Sequence, residues 1–376
     1  MLVELYVFAF IIIMYGTFTT LAIIGFNKLR STPNIIYPQN NHFISIVISA
    51  RNEENTIEEC IYEIEKQHFP KNKFELILID DCSDDNTYEL AQQILEKSGL
   101  SYQIIKQETH QGKKQNLALA IKKAKGEVII TSDADVIYRH PNWLQTISTH
   151  FNDQSINLLI MPVDFNTQST LLSIFQITEN IALTGITAGF AGIKKPFMCN
   201  GANLAFKKSA YASVNGYNSH IQLSSGEDIF LLESIKKIDP TSIHYSLLRE
   251  LIVKTNCQNN LKGFINQRIR WASKIKNNSN LINSFASFIV LAANLIFLAL
   301  LVSILKKSVI LPYLSIFALA KFVFDFLLLF LASDFLGRIK YIWWLIPFEC
   351  IYWMYTLYIG ITSLFYKPSW KGKKIR

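Results

Sequence analysis

The chain has 376 residues, a net charge of +8, 50% hydrophobic residues and 13% aromatics. Its mean hydropathy of +0.21 is high for a soluble protein, and the apolar residues gather into runs, so the class is a membrane protein with room for one large domain plus extras. The sequence shows no basic stripe with interleaved aromatics, which argues against a nucleic-acid binder. Much of the positive excess, including Lys28, Arg30 and the bases after Tyr366, flanks apolar runs and suits lipid headgroups. The five cysteines are scattered without CxxC spacing and read as reduced and structural, with no zinc site.

Residues 5–26 are uncharged and, as a helix, span about 33 Å, enough for a bilayer core. The run is too long for a signal peptide, and no basic segment precedes it. Lys28 and Arg30 place the C-terminal flank on the cytosolic side, so the next domain is expected in the cytosol. Residues 31–42, with two Pro and four Asn, read as a linker.

From there strand and helix alternate. Residues 43–49, 74–79, 102–106 and 128–131 read as strands, and helices are expected over about 56–67, 88–98 and from 110–116 to Gly126. This βαβ spacing predicts a mostly parallel sheet with helices on both faces, whose ligands bind beyond the carboxyl ends of the strands. Three polar clusters sit there: Ala50-Arg51-Asn52-Glu53, Asp80-Asp81 and Asp133-Ala134-Asp135. Any one alone is also what a turn or a solvated acidic loop offers. In an extended chain, Asp133 and Asp135 point the same way, and two hard oxygen ligands suit Mg²⁺ or Mn²⁺ on a substrate phosphate.

Residues 158–163 read as a further strand. Residues 170–192 are apolar with one acid, Glu179, and read as a packed helix, with a helix lying at the membrane face as the alternative. Residues 198–206 read as a strand with a Gly where something approaches closely. Ser225-Gly226-Glu227-Asp228 opens a helix through about Lys236, where a carboxylate also serves as a cap. Gln267-Arg268-Ile269-Arg270-Trp271 lies on a basic helix, which by itself fits the flank of a membrane span.

Three apolar segments follow. Residues 281–305 carry no charge; 309–333 carry Lys321 and Asp325 one turn apart, an expected pair; 341–366 carry only Glu349. A cytosolic domain followed by three crossings puts the basic tail, 367–376, outside. Either one segment does not cross or the charge bias fails.

Taken together these motifs resemble the family 2 glycosyltransferases, which include cellulose, chitin and hyaluronan synthases and ceramide glucosyltransferase. The resemblance runs from about Ile44 to Trp271. It rests on an ordered set: Ala50-Arg51-Asn52-Glu53, Asp80-Asp81, Gly112-Lys113, Asp133-Ala134-Asp135, Gly226-Glu227-Asp228 and Gln267-x-x-Arg270-Trp271. Cys82 stands where the family usually has Gly, and Arg51 where it usually has Tyr. The resemblance implies an α/β, GT-A-like fold with a Rossmann-like nucleotide-binding sheet over 43–275, anchored by an N-terminal transmembrane helix over 1–30 and transmembrane α-helices over 281–366. It implies that Ala50, Glu53 and Asp81 hold the base and ribose of a nucleotide-sugar, with Lys113 close by. Asp133 contacts the nucleotide-sugar, Asp135 holds Mg²⁺ or Mn²⁺ on the diphosphate, and Asp228 is the general base. Gln267, Arg270 and Trp271 line the acceptor site and steady the diphosphate.

The expected activity is metal-dependent, inverting transfer from a nucleotide-sugar, a UDP-sugar by preference, to a lipid-linked or saccharide acceptor at a bacterial inner membrane. A processive polysaccharide synthase is the alternative, and a partner protein in the bilayer stays open. Few polar residues line the spans, which favours a lipid acceptor over a polymer pore. A transporter is disfavoured because one Lys–Asp pair makes a poor pathway. A phosphohydrolase leaves Gln267-x-x-Arg270-Trp271 unexplained.

Overall fold

The computed structural model describes residues 2–31, 42–217, 226–276, 281–365, 369–370 and 373–374. The linker expected over 31–42 lies outside these residues except at its two ends, as does most of the basic tail.

Helix α1 (Leu2–Ser31) precedes the alternating segment, which comprises β1 (Ile44–Ala50), α2 (Ile57–Glu65), β2 (Phe74–Asp80), α3 (Thr87–Lys97), β3 (Tyr102–Lys106), α4 (Lys113–Lys123) and β4 (Val128–Ser132). Next come α5 (Trp143–His150), β5 (Leu158–Ile160), β6 (Val163–Phe165), α6 (Leu171–Gly192), β7 (Asn203–Lys207), α7 (Lys208–Ser213), α8 (Glu227–Ile238), β8 (Ile243–Tyr245), β9 (Val253–Thr255) and α9 (Leu261–Lys276). The chain ends with α10 (Leu281–Leu305), α11 (Leu311–Leu336), α12 (Leu345–Phe365) and the short strands β10 (Ser369–Trp370) and β11 (Lys373–Lys374).

Seven strands form one sheet in the order β3-β2-β1-β4-β7-β5-β8. The first four are parallel, and β7 runs antiparallel to β4 and β5. β1, β2 and β4 are buried along their whole length, as apolar runs covered on both faces require. Ile48 pairs with Ser132 and Ala50 with Asp80, so the carboxyl ends of β1, β2 and β4 finish level. That register brings Glu53, Asp81 and Asp133 to one edge. Being antiparallel, β7 delivers the turn before it, with Gly201, to the same edge.

Two strand expectations change. The run 158–163 divides at Met161-Pro162: β5 stays in the main sheet, while β6 pairs with β9 in a separate two-stranded sheet. Pro162 has no N–H to continue the ladder, so the division falls there. The strand expected from 198 begins only at Asn203, and Gly201 lies in the preceding turn. What approaches it is Asp228: a Cβ at Gly201 would lie 3.3 Å from the Asp228 Cβ.

Among the described residues, four helices are long and apolar enough to cross a bilayer: Val3–Ser31, Leu171–Gly192, Ile282–Leu305 and Leu311–Leu336. This set includes α6 and leaves out α12, whereas the sequence reading counts the last segment and treats α6 as packed. Helix α6 is packed against α1 backbone to backbone. A Cβ at Gly25 would sit 1.8 Å from the Gly189 carbonyl oxygen, and one at Gly192 would sit 2.0 Å from the Gly25 oxygen. Only glycines permit this approach. Helix α11 is fixed to the α/β domain by Arg338, just beyond its end, whose guanidinium donates to Asp164 at 2.7 and 2.9 Å and to Thr167 at 2.6 Å.

The glycine contact predicts that Gly189→Val lowers stability by roughly 1–3 kcal/mol or more, the range for overpacking. Gly360→Ala in α12, where a Cβ meets nothing within 4 Å, should be neutral or stabilising by up to about 1 kcal/mol. Thermal unfolding of both variants in the same detergent decides between the two environments. Equal melting temperatures would refute the contact.

Candidate active site

Each carboxylate at the sheet edge has its own supports. Asp81 is fully buried; its Oδ1 accepts from Gln111 N at 2.8 Å, its Oδ2 accepts from Gly112 N at 3.1 Å, and His110 Nδ1 lies 2.7 Å from Oδ2. Gly112 adopts φ 90°, which lets its N–H turn inward as α4 begins. Asp80 is a turn organiser: its Oδ2 accepts from Ser83 N at 3.1 Å, and its Oδ1 accepts from the Ser83 hydroxyl. Ala50 takes part through its backbone, its oxygen accepting from Asp81 N at 2.8 Å.

Two residues of these loops hold the left-handed conformation, Asn52 (φ 51°) and Cys82 (φ 56°). Asn is tolerated there, and its Oδ1 also accepts from Asp84 N at 2.9 Å, tying the first loop to the second. At Cys82 the backbone explains why glycine is the usual choice, and cysteine sits there under local strain. Glu53 turns back on its own loop, its N–H donating to Thr87 Oγ1 at 2.7 Å and its Oε2 accepting from Thr56 Oγ1 at 3.0 Å.

Asp133 and Asp135 do not point the same way along an extended strand. β4 stops at Ser132, and a turn closes with Val136 N donating to Asp133 O at 3.3 Å. Asp133 meets Lys113 Nζ at 2.5 Å, and the same ammonium lies 3.3 Å from Glu227 Oε1. Burial works against the Lys113 charge, but Asp133 and Glu227 outweigh it and raise its pKa above the usual lysine value. Lys113 therefore bridges two site carboxylates. Asp135 Oδ2 instead accepts from Thr255 Oγ1 at 2.7 Å, at the end of β9. Thr255 lies 120 residues further along the chain, and nothing in the sequence marks it.

Glu227 and Asp228 open α8, and both are buried. Their surroundings differ: Glu227 faces Lys113, while Asp228 Oδ2 accepts from Gly201 N at 3.2 Å. On α9, Arg270 lies close enough to Asp133, Glu227 and Asp228 for their charges to raise its pKa, against a larger lowering by burial. Its neighbour Arg268 points elsewhere. The Arg268 guanidinium donates to Glu179 of α6 at 2.7 Å and bonds Gln267 Oε1, and it lies 4.2 Å from the Trp271 ring centroid. So Arg270 joins the carboxylate cluster, while Gln267 and Trp271 pack around Arg268. Sequence reasoning passed over Arg268 and Glu179 as a pair; the sole acid of an apolar helix was the available signal.

A divalent metal would rest on few protein ligands. Among the described residues no three His, Cys, Asp or Glu side chains group together. One or two carboxylates with substrate phosphates is the usual Mg²⁺ arrangement; Asp135 offers hard oxygens of that kind, while Asp133 is turned to Lys113.

A four-stranded parallel sheet extended by an antiparallel strand, with acidic loops at the shared edge, defines a GT-A glycosyltransferase fold. Residues 45–213 match the model for glycosyl transferase family 2, which identifies that segment as a domain of this kind. It is 35% identical over 94 residues to the poly(ribitol-phosphate) β-N-acetylglucosaminyltransferase TarS of Staphylococcus aureus, covering 24% of this chain and 16% of that one. Over 235 residues it is 25% identical to the poly-β-1,6-N-acetyl-D-glucosamine synthase of the same species, covering 61% and 53%. The chain thus spans from about a sixth to about half of the length of these relatives. The solved mannosyltransferase of Pyrobaculum calidifontis, in complex with GDP-Man and Mn²⁺, shares the fold at TM-score 0.57 and 16% identity, covering 95% of this chain and 99% of that one.

The backbone at Cys82 predicts that Cys82→Gly leaves stability unchanged or raises it by up to about 1 kcal/mol, because the relief of left-handed strain offsets glycine's entropy. Cys82→Val should lower it by about 1–2 kcal/mol, since a β-branch resists that region. Melting temperatures of the two variants read the difference, and a stable valine variant would contradict it.

Proposed function

We propose that the protein is a membrane-bound, inverting glycosyltransferase that moves one sugar from a nucleotide-sugar to a lipid-linked acceptor on the cytosolic face of a bacterial inner membrane. The observation that carries this reading is the gathering of Lys113, Asp133, Glu227, Asp228 and Arg270 at one sheet edge, next to helices long and apolar enough to cross a bilayer.

In this reading Asp81, with Ala50 and Glu53, holds the base and ribose in the rigid loops after β1 and β2. Asp133 meets the sugar end of the donor, so donor binding must open or share the Lys113–Asp133 pair. Asp135 holds Mg²⁺ or Mn²⁺, which when bound neutralises charge on the diphosphate. Arg270 supplies a second, fixed positive charge for the leaving group, with Gln267 and Trp271 behind it. Asp228 takes the proton of the acceptor hydroxyl as that oxygen bonds the anomeric carbon from the face opposite the departing diphosphate. The Gly201 N–H holds Asp228 Oδ2 and Ile229 N donates to Oδ1 at 2.9 Å, so both oxygens are fixed in place.

The lipid acceptor is supported by the apolar helix α6, which the Arg268–Glu179 pair ties to α9, the helix that carries Arg270. Repeated transfer to a growing polysaccharide is the second reading, favoured by the 61% of the chain that aligns with a polysaccharide synthase.

Asp228→Asn, which keeps an oxygen to accept from Gly201 N, should reduce turnover about 10²–10⁴-fold while the nucleotide-sugar dissociation constant changes little. Near-normal turnover in that variant beside an inactive Glu227→Gln enzyme would move the base to Glu227. Asp135→Asn should weaken Mn²⁺ binding in the presence of nucleoside diphosphate, read by the Mn²⁺ electron paramagnetic resonance signal of the free ion. Unchanged binding would remove Asp135 from the metal site. Organic extraction of labelled product separates lipid from polymer.

A further inference from the structure

A cavity of about 150 Å³, open on one side, lies among α1, α6, α10, α11 and α12. Its wall is mostly apolar but carries Tyr15, Glu179, Asn294, Lys321, Asp325 and Glu349. Tyr15, Asn294 and Lys321 sit near the middles of three helices that can cross a bilayer. Lys321, 1% exposed, donates to Asp325 at 2.6 Å and to Glu349 at 2.7 Å, and the Tyr15 hydroxyl donates to Asp325. The pairing expected with Asp325 alone is therefore three-way, and Glu349 is no isolated acid.

Joining helices requires one carboxylate for one ammonium. This cluster has a second, and Glu179 adds a third to the same wall, where it accepts from Arg268 at 2.7 Å and Tyr355 at 2.6 Å. Asn294 is 1% exposed; its Nδ2 donates to Val290 O at 2.8 Å, but its Oδ1 has no hydrogen-bond partner among the described residues. An orphaned acceptor in a dry wall is costly unless a ligand supplies a donor. The wall is thus rich in acceptors, and its cation is already committed to two anions.

We propose that this cavity binds a lipid through an uncharged hydroxyl group and excludes a lipid phosphate. The hydroxyl donates to Asn294 Oδ1, and Lys321, held by Asp325 and Glu349, is not free to receive an anion. The apolar remainder of the wall takes the chain. The same wall leads through Glu179 and Arg268 to α9, which carries Arg270, so the natural occupant is the acceptor; this last point rests on the transferase reading, whereas the site itself does not.

The test uses the full-length protein in lipid nanodiscs and a long-chain alcohol bearing a photoreactive diazirine. Crosslinks should map to α10 and α11 and be displaced by unlabelled alcohol but not by the matched phosphate monoester. Asn294→Leu should weaken the alcohol about three- to tenfold, the loss of one hydrogen bond. Ala182→Leu, which narrows the cavity from α6, should weaken it as well, and nucleoside diphosphate binding serves as the folding control for both. Labelling outside the cavity, or equal displacement by the phosphate, overturns the proposal. Conversion of the bound alcohol to its glycoside on adding nucleotide-sugars makes it the acceptor; recovery unchanged makes it a resident lipid, and both uphold the site. Lost labelling with lipid glycosylation still measurable refutes the cavity alone, and labelling without any sugar transfer refutes the transferase reading alone.

Discussion

The contact on which the architecture depends is the backbone approach of α1 and α6 at Gly25, Gly189 and Gly192. It makes a helix long and apolar enough to cross a bilayer one wall of the α/β domain. Helix α6 then holds both the loop before α9 and α9 itself. Gln176 Nε2 donates to Gln258 O at 3.0 Å while Gln258 N donates to Gln176 Oε1 at 2.9 Å, and Glu179 takes Arg268. Arg270 is two residues from Arg268, so its position beside Asp133, Glu227 and Asp228 is set by a chain of contacts that starts at the α1–α6 glycines. Van der Waals packing of small residues is the main attraction available between helices in lipid, which is why that chain begins with glycine.

Buried charge is treated alike on both sides of this wall. Near the sheet edge Lys113 serves Asp133 and Glu227; among the helices Lys321 serves Asp325 and Glu349. In each, one ammonium holds two carboxylates at fixed distances, an arrangement that is weak evidence for stability but enforces one packing of the elements that carry it. The consequence differs with solvent. At the sheet edge a donor bringing its own charge can enter and redistribute the pairs. Between the helices the wall is mostly apolar, and a ligand has to match it as it stands.

Much of the catalytic half was legible. Four apolar runs at βαβ spacing determine a parallel sheet, and once the sheet is parallel the loops after β1, β2 and β4 must share an edge. What local pattern did not reveal was set by distant partners. The run 158–163 looks continuous because apolarity alone does not say which sheet a strand joins, and β6 finds β9 some ninety residues away. Asp135 was read as a twin of Asp133, yet the turn at Val136 sends them to Lys113 and Thr255. Helix α6 was ambiguous for a physical reason: a helix buried by other helices and one buried by lipid have nearly the same composition. Lys321 and Asp325 were legible as a pair because one turn separates them, whereas Glu349 lies 28 residues from Lys321.

Arg338 carries a consequence for how this domain could have been assembled in evolution. Its guanidinium is the buried counter-charge of Asp164, and Arg30 and Arg249 meet Asp334 at the end of the same helix. A soluble ancestor with this α/β core would have needed another cation, or an apolar residue, at position 164, since an unpaired carboxylate there costs several kcal/mol. The acid and the helix that answers it are therefore expected to have been acquired together, and the membrane helices of related enzymes to be exchangeable only along with the strand they neutralise.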